Sequence, residues 1–176
     1  NWDTGEPGWT EVDTVAHCGG NMGGDFVWTL TSVDVASGWT ELRGIWNRGQ
    51  HACFQGLESI YRSQPFTLLG VDSDNGGEFL NYHLYDWLKE KNIRQTRSRP
   101  YCKNDQAYVE QKNHTHVRGL LGHARLGHRE LLPGLNELLA MWSLWKNLFC
   151  VTMKQKSCRR EGSRQIRRHH KTSRSE

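Results

Sequence analysis

The chain has 176 residues, of which 36% are hydrophobic, and a formal net charge of +4. That composition excludes collagen, a coiled coil and a wholly disordered chain. No apolar run approaches the roughly 20 residues that span a bilayer, so no membrane partner is expected.

The small net charge conceals two opposite halves. Residues 1–88 hold 12 acidic and 3 basic side chains, a balance of −9, and residues 89–176 hold 7 and 20, a balance of +13. Such asymmetry points to an acidic site in one half and an anionic partner for the other. The five cysteines, Cys18, Cys53, Cys102, Cys150 and Cys158, form no CxxC pair, which predicts reduced thiols in a cytoplasmic setting. The opening Asn1-Trp2-Asp3 has neither an initiator Met nor a signal-peptide pattern, so a processed or truncated chain is expected.

In chain order, Trp9 to Ala16 alternates as a strand, with Trp9, Glu11, Asp13 and Val15 on one face. The turn chemistry of Cys18-Gly19-Gly20-Asn21-Met22-Gly23-Gly24 separates it from a β-branched and aromatic strand, Phe26 to Val35. A third strand, Trp39 to Trp46, follows the Ala36-Ser37-Gly38 turn, which predicts an antiparallel meander. A helix over 51–62 places Cys53, Leu57, Ile60 and Tyr61 at helical spacing and is closed by Pro65. The apolar run Phe66 to Val71 predicts a central buried strand. A helix follows over 79–91, then a short polar strand over 93–99, a loop over 100–104 and a polar helix over 105–121. Strands first and alternating helix and strand afterwards give an α/β fold, a mixed five-stranded sheet flanked by helices. The domain division is a core over 1–126, a helical segment over 127–150 with its helix at 135–148, and a basic tail over 151–176. From Thr152 to Glu176 there are 9 basic and 2 acidic residues and almost no apolar content, which predicts a flexible extension.

The chemistry centres on Asp13, Asp74 and Glu110. Asp13 lies mid-strand, Asp74 follows the buried strand, and Glu110 lies in the first half of a helix. If the first and central strands are neighbours, their aspartates face each other and a helix packed beside them supplies the glutamate. Three converging carboxylates resist joint ionisation, and divalent metal resolves the conflict. Mg²⁺ takes a few carboxylates together with waters and phosphate oxygens, and two such ions can clamp an in-line phosphoryl displacement. With 19 acidic residues in the chain, an Asp–Glu pair separated by 35 residues arises by chance. Position and context therefore carry the argument, and Asp72 competes with Asp74 because both point the same way.

The segments Trp9-Thr10-Glu11-Val12-Asp13-Thr14-Val15, Phe26-Val27-Trp28-Thr29-Leu30, Val71-Asp72-Ser73-Asp74-Asn75-Gly76-Gly77-Glu78-Phe79, and Arg99-Pro100-Tyr101 through Val109-Glu110-Gln111-Lys112-Asn113 resemble the DDE-type recombinases. These are the retroviral-type integrases and the transposases of bacterial insertion sequences. The resemblance covers about residues 9–126, with 35 residues between Asp74 and Glu110. It implies a ribonuclease H-like fold, Mg²⁺ or Mn²⁺ (two ions) held by Asp13, Asp74 and Glu110, and DNA strand transfer. It favours Asp74 over Asp72. It implies DNA as partner, both element ends and target, and a homo-oligomer on DNA in a bacterial cell, nucleoid-associated in function. By the same analogy Tyr101, Lys103 and Asn104 are DNA-contact candidates, joined by Gln106, Lys112, Asn113 and Arg118 around the third acid. The tail, with a net charge of +7 in 25 residues, attracts phosphates without reading sequence. Two other readings stay open, a catalytically silent DNA-binding relic and a ribonuclease H-like nuclease that cuts without joining.

Overall fold

The first three strands form the meander that the turn chemistry predicts. They are β1 (Trp9–Ala16), β2 (Val27–Asp34) and β3 (Thr40–Trp46), with Asp13 opposite Thr31 and Thr31 opposite Leu42. Asp34 builds the second turn. Its Oδ2 accepts the Ser37 N–H and hydroxyl, both at 2.6 Å, while its Oδ1 accepts the Gly8 N–H at 2.7 Å. The structure, a computed structural model, describes residues 5–74, 76–79, 82–98 and 106–150, and the backbone of 152–161 and 164–172.

Helix α1 (Gln50–Ser63) buries Cys53, Gly56, Leu57 and Ile60, one stripe at the 3.6-residue period. Gly56 lets it lie close to the sheet, because a Cβ there would fall 2.9 Å from Leu30. Strand β4 (Gly70–Ser73) runs parallel to β1, with Glu11 opposite Asp72. It starts four residues later than the apolar run predicts. Only Leu68 of the preceding residues reaches the core, and the Leu69 and Gly70 N–H groups turn back to the Gly8 carbonyl. Gly70 is obligatory, since a Cβ there would enter the Trp9 ring. Helix α2 (Tyr82–Glu90) and strand β5 (Arg94–Arg97) are shorter than predicted, and β5 pairs parallel with β4. The strand order is β3-β2-β1-β4-β5, a mixed five-stranded sheet.

The single polar helix expected over 105–121 is instead three segments. Helix α3 (Ala107–Lys112) widens into a π-helical turn (Asn113–Arg118) and closes as α4 (Gly119–Leu121). Helix α5 (Leu132–Phe149) starts earlier than expected, at Pro133 in its first turn. Alternation along β1 divides the core. Val12 joins Leu30, Leu57, Ile60, Val71, Phe79, Leu84 and Leu88 on one side, and Val15 joins Val117, Leu135 and Leu139 on the other. The face with Glu11 and Asp13 is therefore the one that α3 to α5 cover.

Helix α5 also closes the edge of the sheet. The Asn136 amide accepts from Gly44 N–H at 2.8 Å and donates to its carbonyl at 3.1 Å. Asn147 does the same to Thr40, at 2.9 Å each way. Eleven residues are about three helical turns, or about 16 Å, and four strand residues span about 13 Å, so the two amides meet alternate outward-facing residues of β3.

Where low apolar content predicts a flexible tail, the backbone of 152–161 and of 164–172 runs as a separate antiparallel pair, β6 (Thr152–Glu161) and β7 (Arg164–Thr172). Lack of apolar residues argues against a packed core, and the two-stranded ladder pairs only the inward-facing backbone groups of each strand.

Candidate active site

Two tiers of carboxylates lie across β1 and β4. The inner tier is Glu11 and Asp72, which stand opposite each other in the register and are 5% and 6% exposed. β1 and β4 are neighbours, and two residues beyond Glu11 and Asp72 come Asp13 on β1 and Asp74 just past the end of β4, both half-buried. This is the neighbour relation that the sequence required for the two aspartates to meet.

In the outer tier, burial drives Asp13 up from the ordinary 3.8 to about 6, and the negative charges of Asp74 and Glu110 add to it. The Thr14 main-chain N–H and the Asn113 amide act in the opposite direction, the latter donating to Asp13 Oδ2 at 2.7 Å. Asp74 is oriented by its own turn, its Oδ1 accepting the Gly76 N–H at 2.9 Å. That turn is braced by Glu78, buried and 3.2 Å from the Arg48 guanidinium. Gly76 makes room for it, since a Cβ would fall 2.6 Å from both Glu78 carboxylate oxygens. Glu110 is exposed on the first turn of α3, and its charge is felt by both Asp13 and Glu11. Asp74 and Glu110 are thus the two acids whose charges bear on Asp13.

The inner tier is internally satisfied. Glu11 Oε2 accepts the Val109 N–H at 2.9 Å, and Asp72 Oδ1 accepts the Thr96 hydroxyl at 2.6 Å. Burial pushes Glu11 up to about 7, against the main-chain N–H groups of Val109 and Tyr108, with the charges of Asp72 and Glu110 raising it further. The competition between Asp72 and Asp74 has a physical difference behind it. Asp72 is buried on a side-chain donor, and Asp74 stands in the more open tier. Sequence reasoning missed Glu11, although a charge on the buried face of a strand was a visible signal. It also missed Glu78 and Arg48, whose pairing across the fold leaves no local signature.

Among the other sequence candidates, Gln106 is half-buried at the start of α3 and its Nε2 has no partner among the described residues. Lys112 is half-buried and immediately precedes Asn113, the residue that donates to Asp13. Asn113 presents its amide nitrogen to Asp13, and its Oδ1 has no partner among the described residues. Arg118 donates to the carbonyls of Ala16 at 2.7 Å and Gly122 at 3.2 Å, tying the helix to the end of β1. Tyr101, Lys103 and Asn104 lie outside the described residues.

The donor chemistry fits a hard cation. It is all oxygen, with mutually repelling carboxylates and an orphaned amide oxygen beside them. Among the described residues no three His, Cys, Asp or Glu side chains close into a metal-holding group by themselves. No helix among the described residues is long and apolar enough to cross a membrane.

Comparison with known proteins agrees with this architecture. The catalytic core domain of BIV integrase superposes with a TM-score of 0.57 at 18% identity, covering 78% of this chain and 82% of that one. That likeness establishes the ribonuclease H-like integrase core fold. The uncharacterized protein y4rM of Sinorhizobium fredii (strain NBRC 101917 / NGR234) is 39% identical over 170 residues, which is 97% of this chain. The chain spans about half the length of that relative, 49%. The profile of the integrase core domain matches residues 3–103, taking in Asp13 and Asp74 and ending before Glu110. On that match the chain belongs to the integrase core domain family.

Proposed function

We propose that the chain catalyses metal-dependent DNA strand transfer, as in transposition or DNA integration, with Asp13, Asp74 and Glu110 as its working acids. The observation that supports this reading is the placement of Asp13 on β1, beside β4 and the Asp74 that follows it, with Asn113 of the helical segment that carries Glu110 donating to Asp13 Oδ2 at 2.7 Å. Divalent metal, when bound, would neutralise that repulsion and polarise the attacking and leaving oxygens of a phosphodiester. Asp13, Asp74 and Glu110 would hold it. Asn113 and the Gly76 N–H fix the orientation of the two aspartates.

Two similar displacements follow. Water attacks a phosphodiester in line, and its phosphorus–oxygen bond to the 3′ oxygen breaks to free a 3′ hydroxyl. That hydroxyl then attacks a target phosphodiester at the same site. One phosphorus–oxygen bond forms as another breaks, so neither step needs an energy cofactor. Catalysis is mostly positioning and charge neutralisation. Gln106, Lys112, Asn113 and Arg118, with Tyr101, Lys103 and Asn104, would line the DNA path beside Glu110. The basic extension would add sequence-independent attraction, and pairing of two DNA ends calls for a homo-oligomer.

The test uses duplexes copied from the DNA flanking the gene, a supercoiled plasmid target, and Mg²⁺ or Mn²⁺. The native chain is expected to cleave and join, and Glu110→Gln to do neither. Equal activity in the two removes Glu110 from the mechanism. Cleavage without joining indicates a nuclease, and binding without either reaction indicates a DNA-binding relic.

A further inference from the structure

We propose that Glu11 is a positioning residue that sets the place of Glu110 relative to Asp13. The inference rests on the three-acid reading above. Helix α3 has no side-chain cap of its own, since Gln106 at its N-terminus makes none. The first N–H groups of a helix lack intrahelical partners. Here the Val109 N–H donates to Glu11 Oε2 at 2.9 Å, across 98 residues of sequence, and the Tyr108 N–H also acts on the same carboxylate. Val109 is fully buried, and the next residue is Glu110. The anchor is therefore one peptide unit from the acid it would place.

The same strand delivers both ends of this arrangement. Glu11 and Asp13 are successive residues on one face of β1, so their spacing is fixed by the pleat at about 7 Å. Glu11 grips the turn before Glu110, and Asp13 receives Asn113 from the turn after it. The helical segment around the third acid is held at two points, by Val109 in α3 and by Asn113 at the start of the π-helical turn, both on the strand that carries the first acid. An error of about 1 Å in such a constellation can cost on the order of 10²-fold in rate.

A purely structural role explains Glu11 poorly. A β-branched residue would suit a covered strand position better, and a carboxylate 5% exposed beside Asp72 is an unfavourable choice for stability alone.

The test compares Glu11→Gln, which keeps a carbonyl acceptor, with Glu11→Val, which removes it, and with Glu11→Asp, which shortens its reach. Hydrogen exchange at the Val109 and Tyr108 amides is read in the metal-free full chain, and kcat and KM are read with the duplexes and Mg²⁺ named above. Glu11→Val is expected to lose amide protection and on the order of 10²-fold in kcat with KM for DNA held, Glu11→Gln to retain both within a few-fold, and Glu11→Asp to fall between. Unchanged amide protection in Glu11→Val and Glu11→Asp overturns the anchor. Lost protection with unchanged kcat overturns the positioning role while leaving the three-acid reading intact, provided that Glu110→Gln is inactive. Full activity of Glu110→Gln sinks the reading itself, and the positioning role with it.

Discussion

Replacing Asp13 by Asn should make the metal-free protein more stable at pH 8 while abolishing its chemistry. Burial, with the charges of Asp74 and Glu110, holds Asp13 at about 6 against an ordinary 3.8. A carboxyl with a higher pKa folded than unfolded binds more protons in the native state. Its favourable contribution is full below about pH 3.8 and is lost as pH rises through about 6. The shift of about two units corresponds to about 3 kcal/mol at most. Partial exposure of Asp13 reduces that, so a gain of about 1–3 kcal/mol is expected for Asp13→Asn at pH 8. The asparagine is isosteric, and its Oδ1 can still accept the Asn113 N–H. His17, buried and lowered to about 4, has the opposite pH dependence, but it is common to both proteins and cancels in the difference. Urea unfolding in EDTA at pH 5 and pH 8 checks the expectation. Mg²⁺ should then stabilise the wild type more than the variant, by the mass-action term for a ligand of the native state. Parallel pH profiles for the two proteins in EDTA, or a less stable variant at pH 8, would refute the claim that Asp13 is electrostatically strained.

Three further outcomes are expected. Leu139→Ala empties a fully buried position between α5 and β3, and should cost about 2–5 kcal/mol in urea unfolding. Asn147→Ala leaves the buried Thr40 N–H and carbonyl unpaired, and should cost about 1–3 kcal/mol by the same measurement. Arg125 holds the loop after β1 by donating to the carbonyls of Cys18, Asn21, Gly23 and Asp25. Arg125→Lys cannot reproduce that fork, so limited proteolysis should cut within 18–25 faster while the unfolding midpoint moves little.

The meander, the first helix and the two aspartates were legible because each is encoded locally. Alternation placed Asp13 on a strand face, and the Asp74-Asn75-Gly76 turn marked the end of the buried strand. Strand β4 was misplaced by four residues because Phe66 to Leu69 are as apolar as a strand. What decides the register is the approach of Trp9 to Gly70, a contact across 61 residues. The same limit hid Glu11, whose role depends on Val109, and the Arg48–Glu78 pair beneath the Asp74 turn. The π-helical turn after Glu110 carries no compositional mark, yet Asn113, where it begins, is the residue that reaches Asp13.

The asparagines of α5 bear on how copies of this chain can assemble. An unpaired strand margin is a template on which another molecule can add a strand. At β3 that template is already filled, because two side-chain amides present to Gly44 and Thr40 the donor and acceptor that an incoming backbone would have brought. A second copy of this chain would therefore find the β3 margin occupied at Thr40 and Gly44. Any assembly of copies through this sheet would have to use the opposite margin, beyond β5.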